Sequence, residues 1–290
     1  MKKHPLLLVL SLFALTGCSI VEPEPEASRE EDIVLEEDSS ENAEQSSGES
    51  KETKKEIKTV SDLTADEYKS FPVYYLKKLN SFASYKAVTE GKTTPSFTIG
   101  SLGVQSIAST AIKTSDYQYY YTDSDGTVHS QHTCYYHNDQ AVYKNVDETE
   151  FTVKSMKEYL GLYGTYPFAN AIEGFNVKAD NILKVQKKDS TENHVFYLKL
   201  SHKEAASNVK IQMKEFGGLK NQPSFSNIEL TITVKEDFTP ITIDLKSTYY
   251  AELKSGLGST CNQTYTVTFS NINEEIEIPG LDAVKNKFSA

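Results

Sequence analysis

His129, His132, Cys134 and His137 fall within nine residues and form the one metal-like cluster in a chain of 290. Their spacing suits a strand, on which successive side chains alternate between faces, so His132 and Cys134 share one side while His129 and His137 share the other. Neither side then holds the four ligands of a tetrahedral centre, and structural roles are expected instead of a metal. Asp123, Ser124, Asp125 and Gly126 have the residue types of a calcium loop's middle, but the loop's first and last positions would be Tyr121 and His132, which leaves too few oxygens. They read as a turn. Ser207 and Lys210 have the spacing of an acylating Ser-x-x-Lys pair without its partner motifs. Nucleophile elbows, zinc-protease helices and phosphate loops are missing from the sequence, and the carboxylate pairs lie in polar runs. The expectation is a non-catalytic protein without a cofactor.

Cysteine chemistry is concentrated at the N-terminus. Lys2 and Lys3 precede an apolar run from Leu6 to Leu15, too short to span a bilayer as a mature helix. The run closes on Leu15, Thr16, Gly17, Cys18 and Ser19, and here the chain resembles a bacterial lipoprotein signal at every lipobox position. The resemblance implies removal of residues 1–17, lipidation of the Cys18 thiol, and acyl chains that hold the mature N-terminus on the extracytoplasmic face of the cell membrane; two chains suffice for stable anchoring.

Residues 18–60 follow as an acidic tether. Between 19 and 60 there are 14 Asp and Glu against 5 Lys and Arg, and the bulky apolar residues are nearly confined to Ile33, Val34 and Leu35. Such a segment buries too little surface to offset its ordering entropy, and as a flexible coil it would reach about 35 Å. Much of the formal net charge of −11 is carried here, so the acidity says little about the domain's own surface, and the chain lacks the basic footprint of a nucleic-acid binder.

Residues 61–290 read as a single α+β domain. Hydrophobic residues at 38% suffice for a core despite a mean hydropathy of −0.48. Capping boxes at Thr64 with Glu67, Ser155 with Glu158 and Ser201 with Glu204 mark helix starts. The first opens a turn interrupted by Pro72, after which Val73, Leu76, Leu79 and Phe82 recur at helical spacing. The second carries Met156, Tyr159, Leu160 and Tyr163 inward and stops at Gly164; the third carries Ala206, Val209, Met213 and Phe216 inward and stops at Gly217 and Gly218. Elsewhere the period is two: Ile228, Leu230, Ile232 and Val234; Ile241, Ile243 and Leu245; Tyr265, Val267 and Phe269. Segments 117–122 and 127–137 flank one turn, and His137 to Gln140 form the next. Without helices between successive strands, these are antiparallel meanders.

This order of elements, with an opening helix running into Ser84 and Tyr85, a helical lid near 159–174, and a close on Asn271, Asn273, Ile276, Ile278 and Pro279, resembles the LolA, LolB and LppX superfamily of envelope lipoprotein carriers. The resemblance implies a strongly curved antiparallel sheet, an incomplete β-barrel with helices packed on its concave face, and an apolar or amphipathic, lipid-like ligand held between sheet and helices. The other reading rests on 18 tyrosines and no tryptophan: a cell-surface interaction module contacting cell-wall glycan or a protein through exposed tyrosines. With Cys18 acylated, Cys134 and Cys261 remain. Both have strand parity with apolar neighbours, and either a disulfide or two unpaired core thiols fits.

Overall fold

The computed structural model describes residues 59–96, 104–125, 129–146, 148–163, 174–190, 192–207, 209–210, 213–214, 219–252 and 256–288. The expected signal peptide, Cys18, the expected tether up to residue 58, residues 164–173 of the expected lid, and the expected stops at Gly164, Gly217 and Gly218 lie outside them.

Val60–Asp62 and Ala65–Ser70 form short 3-10 turns, the second with the Thr64–Glu67 capping box in place. Helix α1 (Phe71–Ser81) follows directly. Pro72 lies in its first turn, where a missing N–H costs nothing, so it starts the helix instead of interrupting the chain. Strands β1 (Tyr85–Pro95), β2 (Gln105–Lys113), β3 (Gln118–Asp125), β4 (Ser130–His137), β5 (Gln140–Asn145) and β6 (Thr152–Ser155) form the first meander. Asn138 and Asp139 both adopt positive φ between β4 and β5, the left-handed pair a two-residue hairpin turn requires. Helix α2 (Met156–Tyr163) starts at the Ser155–Glu158 box, with the Glu158 amide donating to Ser155 Oγ at 3.2 Å and the Ser155 amide donating to the Glu158 carboxylate at 2.9 Å. After Ser201 the chain first makes turns, with the Ala205 amide donating to the Ser201 carbonyl at 3.0 Å. It then becomes helical at residues 207, 209–210 and 213–214, with the Lys210 amide donating to the Ala206 carbonyl at 2.9 Å and Ala206, Val209 and Met213 buried as their spacing implies.

Strands β7 (Ile182–Asp189), β8 (His194–Leu200), β9 (Ser224–Val234), β10 (Pro240–Glu252) and β11 (Gly258–Ser270) form the second meander. Because β1 pairs with β11, the described strands join into one open, curved sheet in the order β6-β5-β4-β3-β2-β1-β11-β10-β9-β8-β7, antiparallel throughout. The fold is therefore α+β, with helices on the concave face. A single cross-strand rung shows how this face is built: Phe196, Ile232, Ile243, Val267, Thr89, Ser109, Thr122, His132 and Asn145 lie side by side. It is apolar through β8 to β11 and polar from β1 to β5.

The apolar half carries the main core. Phe71 of α1 stacks on Phe196 with ring centroids 3.9 Å apart, while Tyr75 and Leu79 follow one and two turns later on the same buried stripe. Truncating a ring so enclosed costs about 3–5 kcal/mol. The polar half is covered on both faces. On the concave side α2 places Met156 and Tyr159 over Cys134, Ala141 and Tyr143. On the convex side the C-terminal segment lays Ile278 and Val284 over Ile112, Tyr119, Tyr135 and Val142, fastened by Tyr135 Oη donating to the Pro279 carbonyl at 2.8 Å.

Candidate functional site

The residues that α1 leaves outside the core define the site. Packing against Phe196 selects Phe71, Tyr75 and Leu79 as the inward stripe, so Val73 is 66% exposed and Leu76 only half-buried, although both fit an inward helical period. Lys69, Pro72, Val73 and Leu76 form one wall of an open groove of about 340 Å³. The other wall is Asn176, Val177, Lys178 and Ala179, on a turn fixed by the positive φ of Asn176 and by Asn181 Nδ2 donating to the Asn176 carbonyl at 2.8 Å. Pro72 and Val177 are buried and make an apolar floor, whereas Lys69 and Lys178 are exposed at its rim. Neither lysine has an ion-pair partner among the described residues. A groove with this floor and rim can take an apolar chain and place an anionic group beside the two ammonium groups. Among the described residues, no group of three His, Cys, Asp or Glu could hold a metal ion.

This position differs from the expected one. Between the apolar half-sheet and α1 the volume is filled by Phe71, Tyr75, Leu79 and their strand partners. Among the described residues, an apolar opening lies on the outer side of the helix.

The metal-type residues are separated. His129 Nε2 meets Asp123 at 2.9 Å, and His137 Nδ1 donates to the Asp116 carbonyl at 2.7 Å. His132 is wholly buried: Nδ1 donates to Asn145 Oδ1 at 2.9 Å, and Nε2 accepts from the Tyr159 hydroxyl at 2.8 Å. Burial drives its pKa down to about 4, against smaller opposing effects of Asn145 and Glu148, so the ring is neutral.

Cys134 and Cys261 are both free and buried. The expected alternative of a disulfide is thereby corrected. Their shared concave parity is right, but three strands stand between β4 and β11, a separation of about 19 Å at ordinary strand spacing. The rung through Cys134 also reaches Phe269 instead of Cys261. A disulfide needs a Cα separation below about 7 Å.

Among the described residues, the tyrosine clusters do not form an outer platform either. Tyr119, Tyr120, Tyr135, Tyr143 and Tyr249 are buried, Tyr121 and Tyr136 half-buried, and of the clusters read from the sequence only Tyr250 is exposed. Two-sided coverage of β3 to β5 absorbs Tyr119, Tyr135 and Tyr143, and the main core absorbs Tyr249.

The chain is thus an α+β protein on a curved, open antiparallel sheet. No family model matches it, and no curated protein does. Among solved structures it is similar to a LolA superfamily protein from Nitrosomonas europaea, at 8% identity over 74% of this chain and 96% of that one, with a TM-score of 0.27. A DUF1329 family protein from Desulfovibrio piger gives 8% identity, 74% and 95% coverage and a TM-score of 0.28. The dehydratase domain from the CurK module of curacin polyketide synthase gives 9%, 72%, 82% and 0.14. Likenesses this distant carry no functional weight, and the fold description rests on strand order and register.

Proposed function

We propose that the mature chain is a non-catalytic envelope lipoprotein, anchored through acylated Cys18 at the extracytoplasmic face of the membrane, whose domain binds an anionic, lipid-like amphiphile in the groove between α1 and residues 176–179. The supporting observation is Val73, two-thirds exposed on an apolar groove whose rim carries Lys69 and Lys178, neither with an ion-pair partner among the described residues. A single exposed valine is ordinary on a protein surface. Its continuity with Pro72, Leu76, Val177 and Ala179, and the two cations at the edge, is what suits an acyl chain with a negatively charged head. The tether and the anchor would hold this groove within reach of membrane amphiphiles.

The test is extraction of lipids that co-purify with the detergent-solubilised full chain, followed by mass spectrometry, for the wild type and for Val73→Asp. Val73 is exposed, so the substitution leaves the fold intact. An anionic acyl-chain species enriched in the wild type and depleted in Val73→Asp is expected. Equal lipid content in both would overturn the groove as the binding site.

A further inference from the structure

The groove and the tether are complementary. In the tether the apolar triplet Ile33, Val34 and Leu35 is bracketed by Glu30, Glu31 and Asp32 on one side and Glu36, Glu37 and Asp38 on the other. The groove has the opposite arrangement, an apolar floor bracketed by two lysines without ion-pair partners among the described residues. The described chain begins at Thr59, ten positions before Lys69 on the groove wall. We infer that residues 30–38 dock in cis in this groove, with Ile33, Val34 and Leu35 on its floor and the flanking carboxylates beside Lys69 and Lys178, in competition with the proposed amphiphile.

The physical requirement is modest. Treated as a flexible coil, the 20 residues from 39 to 58 would have a root-mean-square span of about 25 Å, long enough to reach a surface on the same domain. A flexible linker of this order gives an effective concentration in the millimolar range. A contact with a dissociation constant of about 1 mM, negligible between separate molecules, is then about half occupied in cis. Both halves of the contact are needed. The carboxylates alone would be screened at physiological salt, and the apolar triplet alone would bury little area. Docking stands without the ligand reading, whereas displacement by ligand rests on it.

The experiment uses the mature chain from residue 18 with Cys18→Ser, and a nitroxide attached at Ser40→Cys. Cys134 and Cys261 are buried and do not compete for the label in the native state. Paramagnetic broadening is read at the methyl groups of Val73 and Leu76, with the exposed Val153 of β6 as reference. Broadening at Val73 and Leu76 should exceed that at Val153 roughly threefold or more. It should fall to the reference level in Ile33→Ser/Val34→Ser/Leu35→Ser and in Lys69→Glu/Lys178→Glu, and return when Glu36→Lys and Glu37→Lys are combined with the latter pair. Equal broadening at all three positions, or broadening at Val73 that survives replacement of the triplet, overturns docking. Broadening that vanishes on dilution assigns the contact to a second copy and overturns the cis arrangement.

Titrating dodecyl phosphate into the same sample separates this inference from the proposed function. Release of the label by dodecyl phosphate supports displacement. Label contact that dodecyl phosphate leaves intact, without methyl shifts, sinks the ligand reading and leaves docking standing. Methyl shifts from dodecyl phosphate in a chain without label contact do the reverse.

Discussion

Acidification from pH 7 to pH 5 should destabilise the domain through His132. The side chain is wholly buried beneath α2, with Asn145 on Nδ1, the Tyr159 hydroxyl on Nε2 and the Tyr143 ring 5.8 Å away. Desolvation lowers its folded pKa to about 4, while an unfolded histidine titrates near 6.5. The unfolded chain therefore binds the proton first. Stability is fully present above pH 6.5 and is lost as the pH falls toward the folded value. Integrating between these two pKa values, the loss from pH 7 to pH 5 is about 2 kcal/mol. Most carboxylates remain ionised in this window. Asp189, held below the ordinary range first by its hydrogen bond from His194, contributes its own loss only at lower pH. Urea unfolding followed by circular dichroism at pH 7, 6 and 5 measures the effect, with His132→Gln as the non-titrating control. The control will be less stable at pH 7, but the relevant quantity is the slope with pH. Equal slopes for wild type and control would refute the reasoning and mean that His132 is protonated, or hydrated, in the folded domain.

Cys18→Ala should move the exported protein from the detergent phase to the aqueous phase, since a lipobox has no other acceptor thiol; continued partitioning into detergent would contradict the lipoprotein reading. In a Cys18→Ser chain, thiol titration should find two reactive groups after unfolding without reductant and almost none in the native state, because burial pushes Cys134 up and Cys261 to about 11. Gly91→Ala should destabilise the domain by about 1–3 kcal/mol. An added Cβ would come within 2.5 Å of the Thr264 carbonyl oxygen on β11, and neither strand can retreat without disturbing the β1–β11 pairing that joins the two meanders. Thermal unfolding checks it, and an unchanged midpoint would mean that the pairing is looser than described.

Strand content was legible because period-two alternation is a local property. Ile228, Leu230, Ile232 and Val234 alternate in the sequence, and all four are buried on β9. Likewise Asn138 and Asp139 announce their turn by residue type alone. What the sequence could not decide is which of two apolar stripes on α1 faces inward. Val73 and Leu76 satisfy a helical period as well as Phe71 and Tyr75 do, and the choice is made by the Phe196 ring, far away in sequence. The groove follows from that choice. Its second wall, Val177 and Ala179, is about a hundred residues away and carries no motif. The cysteines show the same limit: parity gave their common face, but strand order, which sets their separation, is a tertiary property. Ser201 and Glu204 have the letters of a capping box, yet the described helical residues begin only at 207, after turns, because a cap motif permits a helix and packing decides where it starts.

The most direct measurement for the groove is a methyl NMR titration of the Cys18→Ser mature chain with dodecyl phosphate, read at Val73, Leu76 and Val177 and repeated with Lys69→Glu/Lys178→Glu. Saturable shifts confined to these methyl groups, weakened roughly tenfold or more in the double charge reversal, are the expected result. Shifts spread over the concave face near Phe196 and Leu198, or none at the groove at concentrations that bind elsewhere, would contradict it.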